Sequence, residues 1–236
     1  MRTAICLSGQ PRNQVRKAMI SVYKHIIEPN NCDVFVCSNS FSLGIEDPWY
    51  DLCSILHELN ITPKVFEVRS DTFLDYEHVA AYSNFPNGTV LGRKKKKSGE
   101  ESSTRNQGSL QQVYYIEKCN KHKILWEKDN KFVYDCVVKC RIGLEFFTKL
   151  DLSKISIEKN KVYMRPKDGV SHYVDCFAFG DSKSMDVYSN RFSVLIKEQE
   201  VPDWVCSTEN QMEYILLKNN IKICTEDIPE FKNVEQ

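Results

Sequence analysis

Residues 3–68 contain three short apolar runs, Thr3-Ala-Ile-Cys-Leu7, Asp33-Val-Phe-Val-Cys37 and Lys64-Val-Phe-Glu-Val68, and what lies between them decides the fold. Each run is bounded by turn residues, the mark of a buried strand. Between the first two, Val15, Ala18, Met19, Val22 and Ile26 recur at three- and four-residue steps, the period of an amphipathic helix. Pro29-Asn30-Asn31 stops that helix. A second helix carries Leu52, Ile55, Leu56 and Leu59 and ends before Pro63. The order β-α-β-α-β builds a parallel sheet with helices on its faces. The expected class is therefore α/β, with a central, mostly parallel sheet.

The rest of the chain extends this pattern. Residues 84–108 are rich in Gly, Ser, Asn and Lys and include Lys94-Lys-Lys-Lys97. They read as a solvated loop, or as a lid over a phosphate-bearing ligand. A long helix follows over residues 109–128, with Leu110, Val113, Ile116, Cys119, Ile124 and Leu125 on its apolar side. Tyr134-Asp-Cys-Val-Val-Lys-Cys-Arg141 is a central strand and Val162-Tyr-Met-Arg165 a further one. In residues 172–179, Val174, Cys176 and Ala178 alternate against Asp175, Phe177 and Phe179. Residues 182–196 read as a helix, a further helix opens at Thr208-Glu209, and residues 221–224 form a last strand.

At 236 residues the chain is long enough for one domain with one core. Lys+Arg and Asp+Glu number 32 each, so no excess positive charge draws it to nucleic acid. No apolar run approaches the roughly 18 residues of a membrane span. The segment Met1–Leu7 lacks the apolar length and cleavage site of a secretory signal, so a cytoplasmic location is expected. The ten cysteines show neither C-x-x-C pairs nor zinc-finger spacing and are expected as reduced core thiols. Without a secretory signal, the acceptor patterns at Asn60 and Asn87 are expected as chance matches. The five histidines lack partner spacing and are read as surface or core residues rather than ligands.

Four places carry chemistry. Ser8-Gly-Gln-Pro-Arg12 lies at the carboxyl end of the first strand, where open α/β sheets bind ligands. Gly9 permits close backbone approach, the following helix N-terminus favours an anion, and Arg12 suits a diphosphate. The same residues also read as a plain strand-to-helix turn. Lys139, Arg141 and Glu145 surround the exit from a central strand at Gly143, where charge is costly unless paired or at a site. An Arg141–Glu145 ion pair is the structural alternative. Asp175, in the stretch Tyr173-Val-Asp-Cys-Phe177, is placed as a general base or as a partner for a backbone amide. Glu209 is placed as a base, or as a charge favouring its helix N-terminus. The glycine-rich P-loop and dinucleotide fingerprints, the G-x-S-x-G elbow, H-E-x-x-H and the EF-hand loop are all missing from the sequence.

Four segments in order resemble small GT-A-type glycosyltransferases, found in polysaccharide-synthesis loci and in large DNA viruses that glycosylate their capsid proteins. They are Arg2-Thr-Ala-Ile-Cys-Leu-Ser-Gly-Gln-Pro-Arg12, Tyr134-Asp-Cys-Val-Val-Lys-Cys-Arg-Ile-Gly143, Phe177-Ala-Phe-Gly180 with Met185-Asp186-Val-Tyr188, and Ser207-Thr-Glu209. The resemblance implies a single GT-A-like, Rossmann-related domain over residues 1–236. Residues 1–145 would hold a nucleotide-sugar donor and residues 146–236 a glycan or glycoprotein acceptor. Ser8, Gly9, Gln10 and Arg12 would contact the nucleotide, and Ser38 and Asn39 would line its base or ribose pocket. Asp175 or Glu209 would serve as base in an inverting hexosyl- or pentosyltransferase.

The family usually holds Mn²⁺ or Mg²⁺ on the donor diphosphate through an aspartate. This chain has Gly143 at the matching place and no Asp-x-Asp anywhere. Three readings follow. Glu145 replaces the lost ligand, or Lys139 and Arg141 neutralise the leaving group without a metal. Alternatively, the chain is a catalytically degenerate nucleotide- or carbohydrate-binding module. A nucleotidyltransferase is a further alternative, disfavoured by the missing acidic pair.

Overall fold

β1 (Thr3–Ser8) is buried along its whole length because its alternate residues serve two cores. Ile5 and Leu7 belong to one cluster and Ala4 and Cys6 to the other. The computed structural model describes residues 1–11, 14–39, 48–69, 103–166, 173–197 and 208–233. Within these, β1 is followed by α1 (Val15–Val22), which continues through a π-helical turn at Tyr23–Ile27 and a last turn at Glu28–Asn30. Asn31, in the left-handed region at φ 47°, ends it. β2 (Asp33–Asn39), α2 (Pro48–Glu58) and β3 (Val65–Arg69) complete the expected β-α-β-α-β unit.

α3 (Ser103–Asp129) then crosses back to β4 (Cys136–Arg141), which lies on the opposite side of β1 from β2. β6 (Lys161–Pro166), β7 (Tyr173–Gly180), α4 (Ser182–Ser189), α5 (Arg191–Lys197), α6 (Thr208–Lys218) and β8 (Lys222–Cys224) follow. The seven-stranded sheet has the order β3-β2-β1-β4-β7-β6-β8. β1 to β4 are mutually parallel, and β7 runs against both β4 and β6. A separate two-stranded sheet pairs β5 (Leu144–Phe146) with β9 (Phe231–Asn233). α1 and α2 pack on one sheet face, and α3, α4 and α6 on the other. The α/β class with a mostly parallel sheet is as expected. No helix among the described residues is long and apolar enough to cross a membrane. The nine described cysteines are all free thiols, as expected for Cys6, Cys37, Cys119, Cys136, Cys140 and Cys176, which are buried.

Several local expectations are corrected. α3 begins at Ser103, so residues 103–108 are helical rather than loop; the lysine run lies outside the described residues. The buried stripe of α3 continues from Val113, Ile116 and Cys119 to Asn120, Lys123 and Glu127. Ile124 and Leu125, expected inside, are 38% and 53% exposed. The 3.6-residue period runs on through Lys123 and Glu127, whose charges are satisfied where they are buried. Lys123 Nζ donates to Asp186 Oδ1 at 2.7 Å, Ser182 Oγ at 2.7 Å and Glu127 Oε2 at 3.1 Å. Glu117 accepts from Ser193 N at 2.7 Å. These bonds fasten α4 and α5 to α3. The stretch expected as one helix over 182–196 is divided at Asn190 into α4 and α5. In β7 every residue from Asp175 to Gly180 is buried, so the expected alternation does not separate an inside from an outside.

Gly180 closes β7 against β6. A Cβ there would stand 2.6 Å from the Lys161 carbonyl oxygen, a backbone atom with little room to give. Gly180→Ala is expected to destabilise the fold by about 1–3 kcal/mol, seen as a lower urea midpoint at unchanged slope. A wild-type midpoint would show that the two strands part without cost.

Candidate functional site

The chain lays down β1, β2 and β3 in one direction across the sheet, then returns to place β4 beside β1. The order reverses there, so β1 and β4 form a topological switch point, and ligands of open α/β sheets bind beyond the carboxyl ends of such strands. Three sequence-expected segments converge at this place. Ser8 pairs in register with Arg141, and Ile142 N donates to the Ser8 carbonyl at 2.9 Å. Ser38, at the end of β2, donates its hydroxyl to the Gly9 carbonyl. Gly9 has φ +106°, a conformation that glycine adopts freely. A Cβ at Gly9 would press to 3.3 Å from Arg141 Cγ, so the missing side chain lets the arginine stem lie against the loop. Among the described residues, no side chain caps the N-terminus of α1, and its first turn holds no acidic residue against its partial positive charge. Gln10 is half-buried. Arg12 and the Asn39 side chain lie outside the described residues.

On the far side of β4, β7 is antiparallel, so its N-terminal residues sit at the same end as the carboxyl end of β4. This brings Asp175 into the cluster. Lys139 is buried, and its ammonium donates to the Asp175 carbonyl. Tyr188 Oη donates to the same carbonyl at 2.9 Å. Asp175 Oδ2 receives Arg191 Nη1 at 3.1 Å, and Gln112 Nε2 stands 3.4 Å from it. The same Nη1 lies 3.2 Å from the Thr208 carbonyl, at the start of α6. Arg191 thus ties β7 to the helix that carries Glu209. Thr208 Oγ1 donates to Glu209 Oε2 at 3.1 Å.

Charge is unevenly shared in this cluster. Lys139, Arg141 and Arg191 all act on the single carboxylate of Asp175. Burial would raise the Asp175 pKa, but Arg191 and Lys139, with Arg141 behind them, outweigh it and hold the carboxyl below its usual value. Burial pushes Lys139 down from 10.5 to about 8; Asp175 opposes that fall, and Arg191 and Arg141 add to it. Among the described residues, three cations face the one carboxylate of Asp175, an excess of positive charge. Arg191 is wholly buried, and its Nε and Nη2 have no hydrogen-bond partner among the described residues. Buried, unsatisfied guanidinium donors beside surplus positive charge suit an anion with several acceptor oxygens.

Among the described residues, the β4 exit offers no carboxylate to a divalent cation. The β4 exit presents Lys139, Arg141 and Gly143, and the Asp175 carboxylate is engaged by Arg191. Glu145, expected as a substitute ligand, sits on the separate β5–β9 sheet. Its Oε1 is 2.9 Å from Lys17 Nζ and its Oε2 3.7 Å from Lys232 Nζ. Two lysines therefore neutralise Glu145, and the alternative Arg141–Glu145 pair is replaced by these contacts.

Sequence reading missed Arg191 and Gln112. Arg191 follows a helix break at Asn190, and nothing in its local sequence marks it as buried. Only the packing of α5 on α3 brings it to Asp175. A second grouping was also missed. Cys37, Glu67 and His122 place a thiol, a carboxylate and an imidazole within 4.8 Å of one another, although in the sequence His122 has no partner at ligand spacing.

No protein-family model matches the sequence, and no curated protein does. Among solved structures, the chain is similar to the apo-form glycosyltransferase GlyE of Streptococcus pneumoniae TIGR4. The identity is 10% and the TM-score 0.48, over 96% of this chain and 46% of that one. The chain therefore spans about half the length of that structure.

Proposed function

We propose that this protein is a glycosyltransferase, moving a sugar from a nucleotide-sugar donor to a hydroxyl of a glycan or glycoprotein. The observation that carries the reading is the surplus of positive charge from Lys139, Arg141 and Arg191 at the switch point. The sequence resemblance of residues 2–12, 134–143, 177–188 and 207–209 to GT-A-type enzymes supports it. Residues 1–145 bind the donor, with Ser8, Gly9, Gln10, Arg12, Ser38 and Asn39 around the nucleotide. Residues 146–236 bind the acceptor.

In the reaction, the acceptor oxygen bonds to the anomeric carbon as the bond to the diphosphate oxygen breaks. Negative charge grows on the departing diphosphate. Fixed cations that need no reorganisation stabilise that charge best. Lys139, Arg141 and Arg191 supply them and take the part a metal has elsewhere. Glu209 accepts the proton of the acceptor hydroxyl in an inverting reaction. Asp175, held ionised by Arg191, is better suited to orienting the site than to taking up a proton near neutral pH. A degenerate binding module is the second reading, favoured by Gly143 in place of the family's aspartate.

The test is a thermal-shift series with UDP-, GDP-, dTDP- and CMP-sugars, each with Mn²⁺, with Mg²⁺ and with chelator. A donor at about 100 times its Kd should stabilise the protein by about 2.7 kcal/mol, equally with and without metal. Stabilisation by none would defeat the donor-site reading. Stabilisation without donor hydrolysis or transfer would favour the binding module.

A further expectation concerns pH. A bound diphosphate favours protonated Lys139, which in the free protein loses its proton near pH 8. Nucleoside diphosphate affinity should therefore fall up to about tenfold per pH unit above about 8, and Lys139→Met should abolish that slope. Calorimetric titration between about pH 6.5 and 9.5 reads this directly. The same depressed value makes the buried charge a cost to folding below about pH 8, relieved as pH rises towards 10.5.

A further inference from the structure

We infer that Cys37, Glu67 and His122 form a binding site for a zinc-type transition-metal ion, separate from the donor site. Cys37 on β2 and Glu67 on β3 are direct cross-strand partners, so their side chains lie side by side on one sheet face. α3 crosses that face and lays His122 over them. Their ligand atoms all fall within 4.8 Å of one another. A tetrahedral zinc with Zn–S near 2.3 Å and Zn–N or Zn–O near 2.0–2.2 Å needs ligand separations of roughly 3.3–3.7 Å. To reach those separations the most distant of these atoms draw together by up to about 1 Å, and His122 Nε2 and Glu67 Oε2, now 2.6 Å apart, move apart.

The donor set selects the ion. One thiolate and one imidazole favour zinc over magnesium, manganese or calcium, which prefer oxygen ligands throughout. The three ligands found among the described residues leave a fourth position of a tetrahedral ion to be filled by water, and the site is partly open to solvent. Cys37 is buried, while the side chains of Glu67 and His122 are 25% and 28% exposed at the β3 side of the sheet. His122 Nε2 now stands 2.6 Å from Glu67 Oε2, and Lys118 Nζ holds Oε1. A metal entering between the imidazole and Oε2 takes both atoms as ligands, and Lys118 stays on Oε1, orienting the carboxylate. The Cys37 thiol releases its proton to solvent as the metal–sulfur bond forms, and the proton that His122 Nε2 holds toward Glu67 leaves that nitrogen, the neutral imidazole keeping its remaining proton on Nδ1, with no change of oxidation state. Cys119 lies against Cys37 on the same face, and its single S–H is within reach of the carbonyls of Phe35 at 3.5 Å and Leu7 at 3.7 Å, which leaves Cys37 as the thiol nearest Glu67 and His122. An ion here would pin β2, β3 and α3 together directly behind Ser38, whose hydroxyl supports the Gly9 loop.

The probe is Co²⁺, titrated into the full chain with its thiols kept reduced. One equivalent should bind with a thiolate-to-cobalt charge-transfer band and the intense visible bands of a tetrahedral site, and Zn²⁺ should displace it. Cys37→Ser should remove the charge-transfer band. His122→Gln and Glu67→Gln should each weaken cobalt binding at least about tenfold. His122 is partly exposed, so H122Q should keep the wild-type circular dichroism spectrum and Tm without metal. Absence of stoichiometric binding, a spectrum without the thiolate band, or wild-type affinity in a folded H122Q would each overturn the site. None of these outcomes depends on sugar transfer.

Discussion

Asp175→Asn is expected to destabilise the protein by about 3 kcal/mol or more at neutral pH. Removing one partner of a buried ion pair leaves the other charge uncompensated, and such changes typically cost about 3–5 kcal/mol. Here the asparagine would leave Arg191 and Lys139 buried without a carboxylate, with Arg141 adding to the repulsion. Urea unfolding of the variant checks this. The double variant D175N/R191M should be less destabilised than the two single effects summed, because the second change removes the stranded guanidinium. The sign with pH also follows. The folded Asp175 pKa is depressed, so its stabilisation is present above the ordinary carboxylate range and is lost as pH falls through the folded value. The gap between wild type and D175N should therefore narrow in acid. A D175N protein with wild-type stability at pH 7 would mean that the carboxylate does not hold the cations together.

Glu209→Gln is expected to lower turnover by about 10²–10⁴-fold while leaving nucleoside diphosphate affinity close to wild type. The range is what a positioned general base contributes. The amide keeps the size of the side chain and can still accept from Thr208 Oγ1, whose hydroxyl is 3.1 Å from Glu209 Oε2. What it loses is the capacity to take up a proton. Single-turnover sugar transfer, run beside calorimetric nucleotide binding, separates the two effects. Unchanged turnover would remove Glu209 as base and leave an activated acceptor or a retaining path to be sought. Equal losses in binding and turnover would instead mark Glu209 as a donor contact.

Much of the N-terminal half was legible because its information is local. Val15, Ala18, Met19, Val22 and Ile26 specify a helix by their own spacing, and all five are fully buried. Lys139 and Arg141 stood out because charges within an apolar strand demand a partner or a ligand. α3 shows where such reading stops. Its period was visible, but Ile124 and Leu125 looked better buried than Lys123 and Glu127. The choice went the other way because Asp186 and Ser182, on α4, complete the lysine's bonding. Hydropathy cannot register that compensation, since it lies some 60 residues away.

By itself the sequence determined the α/β alternation, the mostly parallel sheet, the turn at Gly9 and the cationic exit from β4. Only the tertiary structure decided that β4 returns beside β1, so that Arg141 meets Ser8 at a switch point. It alone set Arg191 on Asp175, turned Glu145 to two lysines, and gathered Cys37, Glu67 and His122 from three separate elements. The physical reason is the same in each case. Period and turn chemistry fix which way a side chain faces on its own element, while its partners depend on strand order, helix crossing and the requirement that every buried charge be answered.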